Sequence, residues 1–269
     1  MQSYHEALLW SKFPNPPSID EMKLAFKIAY KERCLESPCF GSGHTPDGVH
    51  RTDDGRNWWR ETVKRVLIYS GRTIFSEEDF ERYFRRIYQH FGSSMGYIIL
   101  DDAQAFLDEL HSWSRKEMTN KDDDDGDSDA TSLLLGITSN TPTRHMESIL
   151  PMLGIHDQFH WFTCSEDVGY EKPSHQIFDA TYQAAKHWIP DLQPHQVLHI
   201  GDSFACDYCG AKAYGFQALL LDRSEYPNIV AYQDWIDAPD YIGKCEDDLA
   251  FNTITNLHQV LDWLDSRNN

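Results

Sequence analysis

One stretch constrains this chain more than any other: Val197-Leu-His-Ile-Gly-Asp-Ser-Phe-Ala-Cys-Asp-Tyr-Cys-Gly-Ala-Lys-Ala-Tyr-Gly-Phe216. The apolar run from Val197 to Ile200 reads as a strand buried in a parallel sheet. Gly201-Asp202-Ser203 then turns the backbone sharply, and a second acid follows at Asp207. A helix through Ala211 and Ala213 stops at Gly215, a natural C-terminal cap. Carboxylates just past the carboxyl end of a strand lie where open α/β sheets place their sites. There they suit Mg²⁺, a hard cation that takes a few carboxylates, waters and phosphate oxygens.

Taken alone, Gly-Asp-Ser is an ordinary turn. Two companions change its meaning. Upstream, Leu133-Leu-Leu-Gly-Ile-Thr-Ser-Asn140 is a second apolar run ending in hydroxyl and amide residues. Between the two, Ser165-Glu-Asp-Val-Gly-Tyr-Glu-Lys-Pro-Ser-His-Gln-Ile-Phe178 sets Lys172-Pro173 just before a helix. Hydroxyl, lysine and acid, in that order at strand ends, resemble motifs II, III and IV of the haloacid dehalogenase superfamily of phosphohydrolases. The resemblance implies an α/β fold: a doubly wound parallel sheet core with an α-helical C1-type cap, built around a small phosphorylated substrate and Mg²⁺. It makes Ser139, with the Asn140 amide beside it, the donor to a phosphoryl oxygen. Lys172 becomes the cation that neutralises charge on the nucleophile and the transferring group. Asp202 becomes a ligand of Mg²⁺, and Asp207 a ligand directly or through water.

The same resemblance requires Asp-x-Asp-x-Thr/Val after a first core strand. The first Asp attacks phosphorus to give an aspartyl-phosphate, and the second serves as general acid and base. Here the chain opens with Met1-Gln-Ser-Tyr-His-Glu-Ala-Leu-Leu-Trp10, which reads as part of an amphipathic helix. Motif I and its strand are absent. Asp127-Ser-Asp-Ala-Thr131 matches the letters, but it precedes a strand and sits in a polyacidic run, which is ordinarily solvated. A catalytic aspartate needs a rigid strand end behind it.

In the resembled family the missing strand is central, so its neighbours would lose ladder bonds. Each buried unsatisfied group costs ~1–3 kcal/mol, against a domain stability of ~5–15 kcal/mol. The expectation is therefore that Met1 is an internal methionine of a longer protein and that the chain as it stands is inactive. The alternative from a different class is a non-catalytic scaffold that binds a phosphorylated ligand or a protein partner.

Composition narrows the field. The chain has 269 residues, long enough for one domain with an inserted subdomain. Its net charge of −19, from 24 basic and 43 acidic residues, disfavours nucleic-acid binding. No apolar run approaches the ~20 residues of a membrane span, and no signal peptide is visible. Six cysteines without secreted spacing point to a reducing, intracellular setting, the cytoplasm. Cys206-Asp-Tyr-Cys209 admits zinc or redox chemistry, yet no second pair exists; two semi-buried thiols at a helix start fit better.

Along the chain, residues 1–95 read as a helical cap and 96–269 as the core, with a disordered acidic insert over 116–131. Ser18-Ile-Asp-Glu21 forms a capping-box pattern ahead of Met22, Ala25, Phe26, Ala29 and Tyr30 at helical spacing. Residues 34–56 read as a loop, where Arg51 and Arg56, with the Trp58-Trp59 pair that follows, are weak candidates to face a ligand against the ordinary reading of solvated arginines. Trp58, Trp59, Val63, Val66 and Leu67 give a second apolar face, and Ser76 caps a third helix. Further helices are expected over 101–113, 144–153, 174–188, 207–214 and 255–264, and strands over 133–137, 159–163, 197–200 and 216–222. Strands alternating with helices imply a parallel, doubly wound sheet.

Overall fold

The computed structural model describes residues 1–43, 54–119, 133–224, 249 and 252–268, with backbone alone over 111–119 and 267–268. Its elements run α1 (Gln2–Trp10), α2 (Ile19–Glu36), α3 (Gly55–Tyr69), α4 (Glu77–His90), α5 (Asp101–Thr119), β1 (Gly136–Ser139), α6 (Leu150–Leu153), β2 (Trp161–Cys164) and α7 (Ser165–Val168). There follow α8 (His175–Trp188), β3 (Leu198–Gly201), α9 (Gly210–Tyr214), β4 (Gln217–Leu221), β5 (Thr253–Ile254) and α10 (Gln259–Asn268). Wide π-helical turns, His145–Ile149 and Phe204–Cys209, lead into α6 and α9. The chain divides into two units. The first holds Met1–Ile98, Thr138–His156 and Thr163–Glu171; the second holds Ile99–Ile137, Asp157–Phe162 and Lys172–Asn269.

Alternation along β4 organises the second unit. β4 pairs in parallel with β3 on one side and β5 on the other, with Leu198 opposite Gln217 and Leu220 opposite Thr253. Successive side chains of a strand point to opposite faces. Ala218 and Leu220 accordingly join Ile177 and Phe178 of α8 and Ala211 of α9. Leu219 and Leu221 join Phe106 and Leu110 of α5 and Val260 of α10. Helices thus cover both faces of a parallel sheet, which is the doubly wound α/β architecture expected from the sequence.

The first unit is a helical assembly. The Ser18 hydroxyl accepts from the Glu21 N–H at 3.3 Å, while the Glu21 carboxylate accepts from the Ser18 N–H at 2.7 Å. This capping box starts α2 as the sequence predicts. Ser76 starts α4 by accepting from the Asp79 N–H at 3.0 Å. Trp58 is buried and its indole donates to the Ser37 carbonyl at 2.6 Å. The aromatic stripes are core, as expected from their helical spacing.

Several boundaries differ from the sequence expectations, each for a local reason. The strands form two sheets among the described residues: β1 with β2, and β3 with β4 and β5. β3, with one strand neighbour there, is half-buried throughout, whereas four of the five β4 residues are buried. β1 begins at Gly136 and not at 133, because Leu133 and Leu135 pack against the Leu219 core. The 34–56 loop starts late: α2 continues to Glu36, where the Ser37 N–H caps the Arg33 carbonyl at 2.9 Å. The helix expected at 207 begins at Phe204, since the Ser203 hydroxyl accepts from the Cys206 N–H at 3.2 Å. α10 starts at 259 and not 255, because the Gln259 side chain accepts from the Thr255 and Asn256 N–H groups in a lead-in turn. α5 continues through residues 116–119 of the expected insert. The remainder, with Asp127 and Thr131, lies outside the described residues, as do Arg51 and the side chain of Trp113. β5, a two-residue strand, has no counterpart in the sequence reading.

Leu219 is 1% exposed at the middle of β4. Leu219→Ala should cost about 2–5 kcal/mol through lost burial and the cavity left behind, read from urea unfolding. A loss under about 1 kcal/mol, the scale of a tolerated surface change, would show that this core does not depend on β4.

Candidate active site

Three of the sequence-predicted residues gather in the second unit. Lys172 follows the first unit directly and precedes α8, across a cis bond to Pro173. Its ammonium donates to Asp207 Oδ1 at 2.6 Å. The two side chains are 11% and 6% exposed, so this ion pair is almost dry. Asp207 lies on the π-helical turn after β3, close against the strand end. A Cβ at position 201 would stand 2.2 Å from the Asp207 Cγ, so only glycine fits there. Asp207 Oδ2 accepts from the Ser203 N–H at 3.0 Å.

His199 completes this arrangement and was missed as a site residue. Its Nε2 lies 2.8 Å from Asp207 Oδ1, with the ring edge-on to Phe178. Burial lowers the His199 pKa, and the Lys172 charge adds to that against the pull of Asp207. The imidazole is therefore a neutral donor at physiological pH, and Lys172 supplies the positive charge. The available signal was a histidine inside an otherwise apolar strand.

The two acids of the turn have opposite environments. Burial alone would raise the Asp207 carboxyl, but the Lys172 charge and the His199 hydrogen bond outweigh it and hold it well below the usual range. Asp202, at the end of β3, is pushed upward by burial and then by the Asp207 charge, with Lys172 and Arg223 partly opposing. One acid is locked as a carboxylate; the other would gain from a cation.

Ser139 and Asn140 belong to the first unit, where Ser139 ends β1. The loop after them is pinned to α7. The Thr143 N–H donates to Glu166 Oε2 at 2.7 Å, and the Thr143 hydroxyl to Asp167 Oδ1 at 2.5 Å. The Ser42 hydroxyl donates to the Glu166 carbonyl at 2.6 Å, tying the segment after α2 to the same short helix. Trp59 stacks with Phe26 and Phe40, so it is packing and not a ligand platform. Cys206 and Cys209 are buried thiols outside any disulfide, and no three His, Cys, Asp or Glu side chains converge as a metal cage among the described residues. The pair is a packing element, more buried than the sequence suggested.

A lysine and two acids at the carboxyl end of a parallel strand, inside a doubly wound unit, lie where α/β sheets place their ligand sites. The chain belongs to the haloacid dehalogenase-like hydrolase family, whose sequence pattern matches residues 18–215. It is 28% identical to haloacid dehalogenase-like hydrolase domain-containing protein 3 of Mus musculus over 201 residues, 75% of this chain and 67% of that protein. It is 30% identical to glyceraldehyde 3-phosphate phosphatase of Methanopyrus kandleri over 105 residues, 39% of this chain and 42% of the relative. The L-2-haloacid dehalogenase of Xanthobacter autotrophicus shares its fold, with a TM-score of 0.59 at 15% identity over 98% of this chain and 93% of that one. No described helix is long and apolar enough to cross a membrane.

Asp207→Ala would leave the Lys172 ammonium buried without its partner, and should cost about 3–5 kcal/mol at pH 7. The folded Asp207 pKa is depressed, so the pair contributes fully above the unfolded carboxylate value of about 3.9. Its contribution is lost as the pH falls from there toward the folded value. The stability gap between the unaltered chain and Asp207→Ala should narrow as urea melts are taken progressively below about pH 4. A gap that widens there would reverse the assignment of the charged partner.

Proposed function

We propose that this chain carries the phosphate- and Mg²⁺-binding machinery of a phosphohydrolase for small phosphate esters. The observation that carries this reading is the buried Lys172–Asp207 pair beside Asp202 at the carboxyl end of β3. Similarity to a glyceraldehyde 3-phosphate phosphatase supports the substrate class.

The donor set fits Mg²⁺. Asp202 is a half-buried carboxyl that burial and the Asp207 charge push upward, and a bound hard cation would offset both. Asp207 has both oxygens engaged by Lys172, His199 and the Ser203 N–H, so it would act on the ion from behind Asp202. Magnesium, when bound, supplies positive charge to a phosphoryl oxygen. Lys172, aimed by Asp207, would neutralise a second oxygen; for Ser139 and Asn140, in the first unit, the family resemblance implies the role of phosphoryl-oxygen donors. The helical segment 1–95 would act as a cap that excludes water and selects the alcohol portion of the ester.

The sequence supplies no Asp-x-Asp-x-Thr/Val after an apolar strand, so binding is expected without turnover. Titration of the purified chain with inorganic phosphate should show binding that requires Mg²⁺ and is lost in Asp202→Ala and Lys172→Ala. Hydrolysis of an aryl phosphate should stay at the buffer rate. Phosphate binding indifferent to both substitutions would overturn the reading. Mg²⁺-dependent hydrolysis abolished by Asp202→Ala would show that an attacking carboxylate is present after all.

A further inference from the structure

The carboxyl end of the sheet in the second unit holds another buried ion pair besides Lys172–Asp207. Arg223, two positions past the end of β4, is 8% exposed, and its guanidinium lies 2.8 Å from Asp102 Oδ2. Asp102 stands in the first turn of α5, and the same oxygen accepts from the Leu257 N–H at 3.0 Å. The pair therefore joins the end of β4, the start of α5 and the turn ahead of α10, all within one unit. A buried ion pair is seldom more stable than apolar side chains of similar volume. Stability alone does not account for a guanidinium at this position.

Strand alternation places Arg223 relative to Asp202. Leu198 and Ile200 of β3 and Leu219 and Leu221 of β4 all pack in the cluster that includes Phe106 and Leu110 of α5. Positions two apart along a strand share a face. Counting on by two from Ile200 reaches Asp202, and from Leu221 reaches Arg223. β3 and β4 are parallel neighbours with Gly201 opposite Leu220, so both positions leave the same end of the sheet on adjacent strands. The bond from Arg223 to a side chain of α5 agrees with that count. His199, one position off it, meets Phe178 in the opposite layer, where it joins Asp207 and Lys172. Burial and then the Asp207 charge push the Asp202 carboxyl upward, and the Lys172 and Arg223 charges both oppose that push. Lys172 is already committed to Asp207; Arg223 has had no task so far.

We infer that Arg223 is a positioning residue acting through Asp202: its fixed charge, held at the end of β4 by Asp102, sets how tightly that carboxylate takes Mg²⁺. A guanidinium stays charged in a protein, so the opposing charge is permanent. A divalent ion feels twice the repulsion of a monovalent one. Asp102, paired with the guanidinium, offsets part of that repulsion and ties the cation in place. This inference rests on the Mg²⁺ reading of Asp202 above and adds a residue from the next strand that restrains the affinity.

Calorimetric titration of the full chain with Mg²⁺ alone tests it, beside thermal melts that show each variant folded. Arg223→Gln removes the charge and should bind Mg²⁺ about fivefold or more tighter, the scale Coulomb's law gives for a unit charge on a divalent ion in a water-like medium. Arg223→Lys keeps the charge and should stay within about twofold of the unaltered chain. Asp102→Asn leaves the guanidinium without its counter-charge and should weaken binding. A merely structural joint would move Arg223→Gln and Asp102→Asn the same way, toward weaker binding; a charge effect moves them in opposite directions. Removing one partner of a buried pair can unfold a protein. Asp102→Asn combined with Arg223→Gln, which leaves neutral hydrogen-bonding groups at both positions, is therefore measured too and should also bind more tightly. If Arg223→Gln and the double variant bind Mg²⁺ no tighter than the unaltered chain, while Asp202→Ala still abolishes binding, the inference is wrong and the metal reading stands. If Mg²⁺ does not bind, or binds regardless of Asp202→Ala, the metal reading fails and takes the inference with it.

Discussion

Everything polar at the end of β3 depends on one nearly dry ion pair, Lys172 with Asp207. An ammonium and a carboxylate removed from water are stable only when each is paired and the remaining hydrogen-bonding capacity is used. Asp207 meets that demand with three donors: the lysine, the His199 ring and the Ser203 backbone. The constraint spreads into the sequence. Position 201 is held to glycine by the approach of the carboxylate, and Ser203 serves twice, through its N–H to Asp207 and through its hydroxyl as the cap of the following turn. A strand, a turn and a lysine from thirty-five positions upstream are thereby fixed to one another.

Packing beneath the pair is what makes such a cluster tolerable. β4 carries an apolar layer on each face, and the layer with Ala218 and Leu220 includes Phe178, whose ring also meets His199 edge-on. Tyr208 and Cys209, on the turn that bears Asp207, belong to the same layer. The low-dielectric wall that raises the cost of an unpaired charge also strengthens the paired one. The site is therefore an outgrowth of the core.

Legibility followed the range of the physics. Short-range chemistry was readable: the Ser18–Glu21 capping box, Ser76 as a cap, and Gly154 and Gly215 as left-handed helix ends all occur where the residue types ask for them. Apolar periodicity located the buried faces of α2, α3 and α4. It misplaced β1, since Leu133 and Leu135 are apolar for packing and not for pairing. It could not separate a lead-in turn from the start of α10, or find a two-residue β5. In the site, Lys172, Asp202 and Asp207 stood out by order and residue type. That Lys172 and Asp207 bond directly is a long-range fact with no local signature, and His199, which joins them, showed only as a polar residue in an apolar strand. The Arg223–Asp102 pair is of the same long-range kind, joining the end of β4 to the start of α5.

Two aspartates five positions apart show how environment assigns chemistry. Asp202 and Asp207 are the same residue type on one turn, yet burial and neighbours drive their carboxyls in opposite directions. Opposed shifts within one cluster mark a division of labour. The acid that is already compensated has little to gain from a cation, because a newcomer would have to displace a lysine, an imidazole and a backbone N–H. The acid that burial pushes upward would gain more from a cation, and the Asp207 charge beside it would add to the pull. On the proposed phosphohydrolase reading, a divalent ion would be directed to Asp202 by the electrostatics of the turn, while Asp207 keeps Lys172 aimed. Exchanging the two roles would require moving Lys172, and Lys172 is fixed by the pair on which the rest depends.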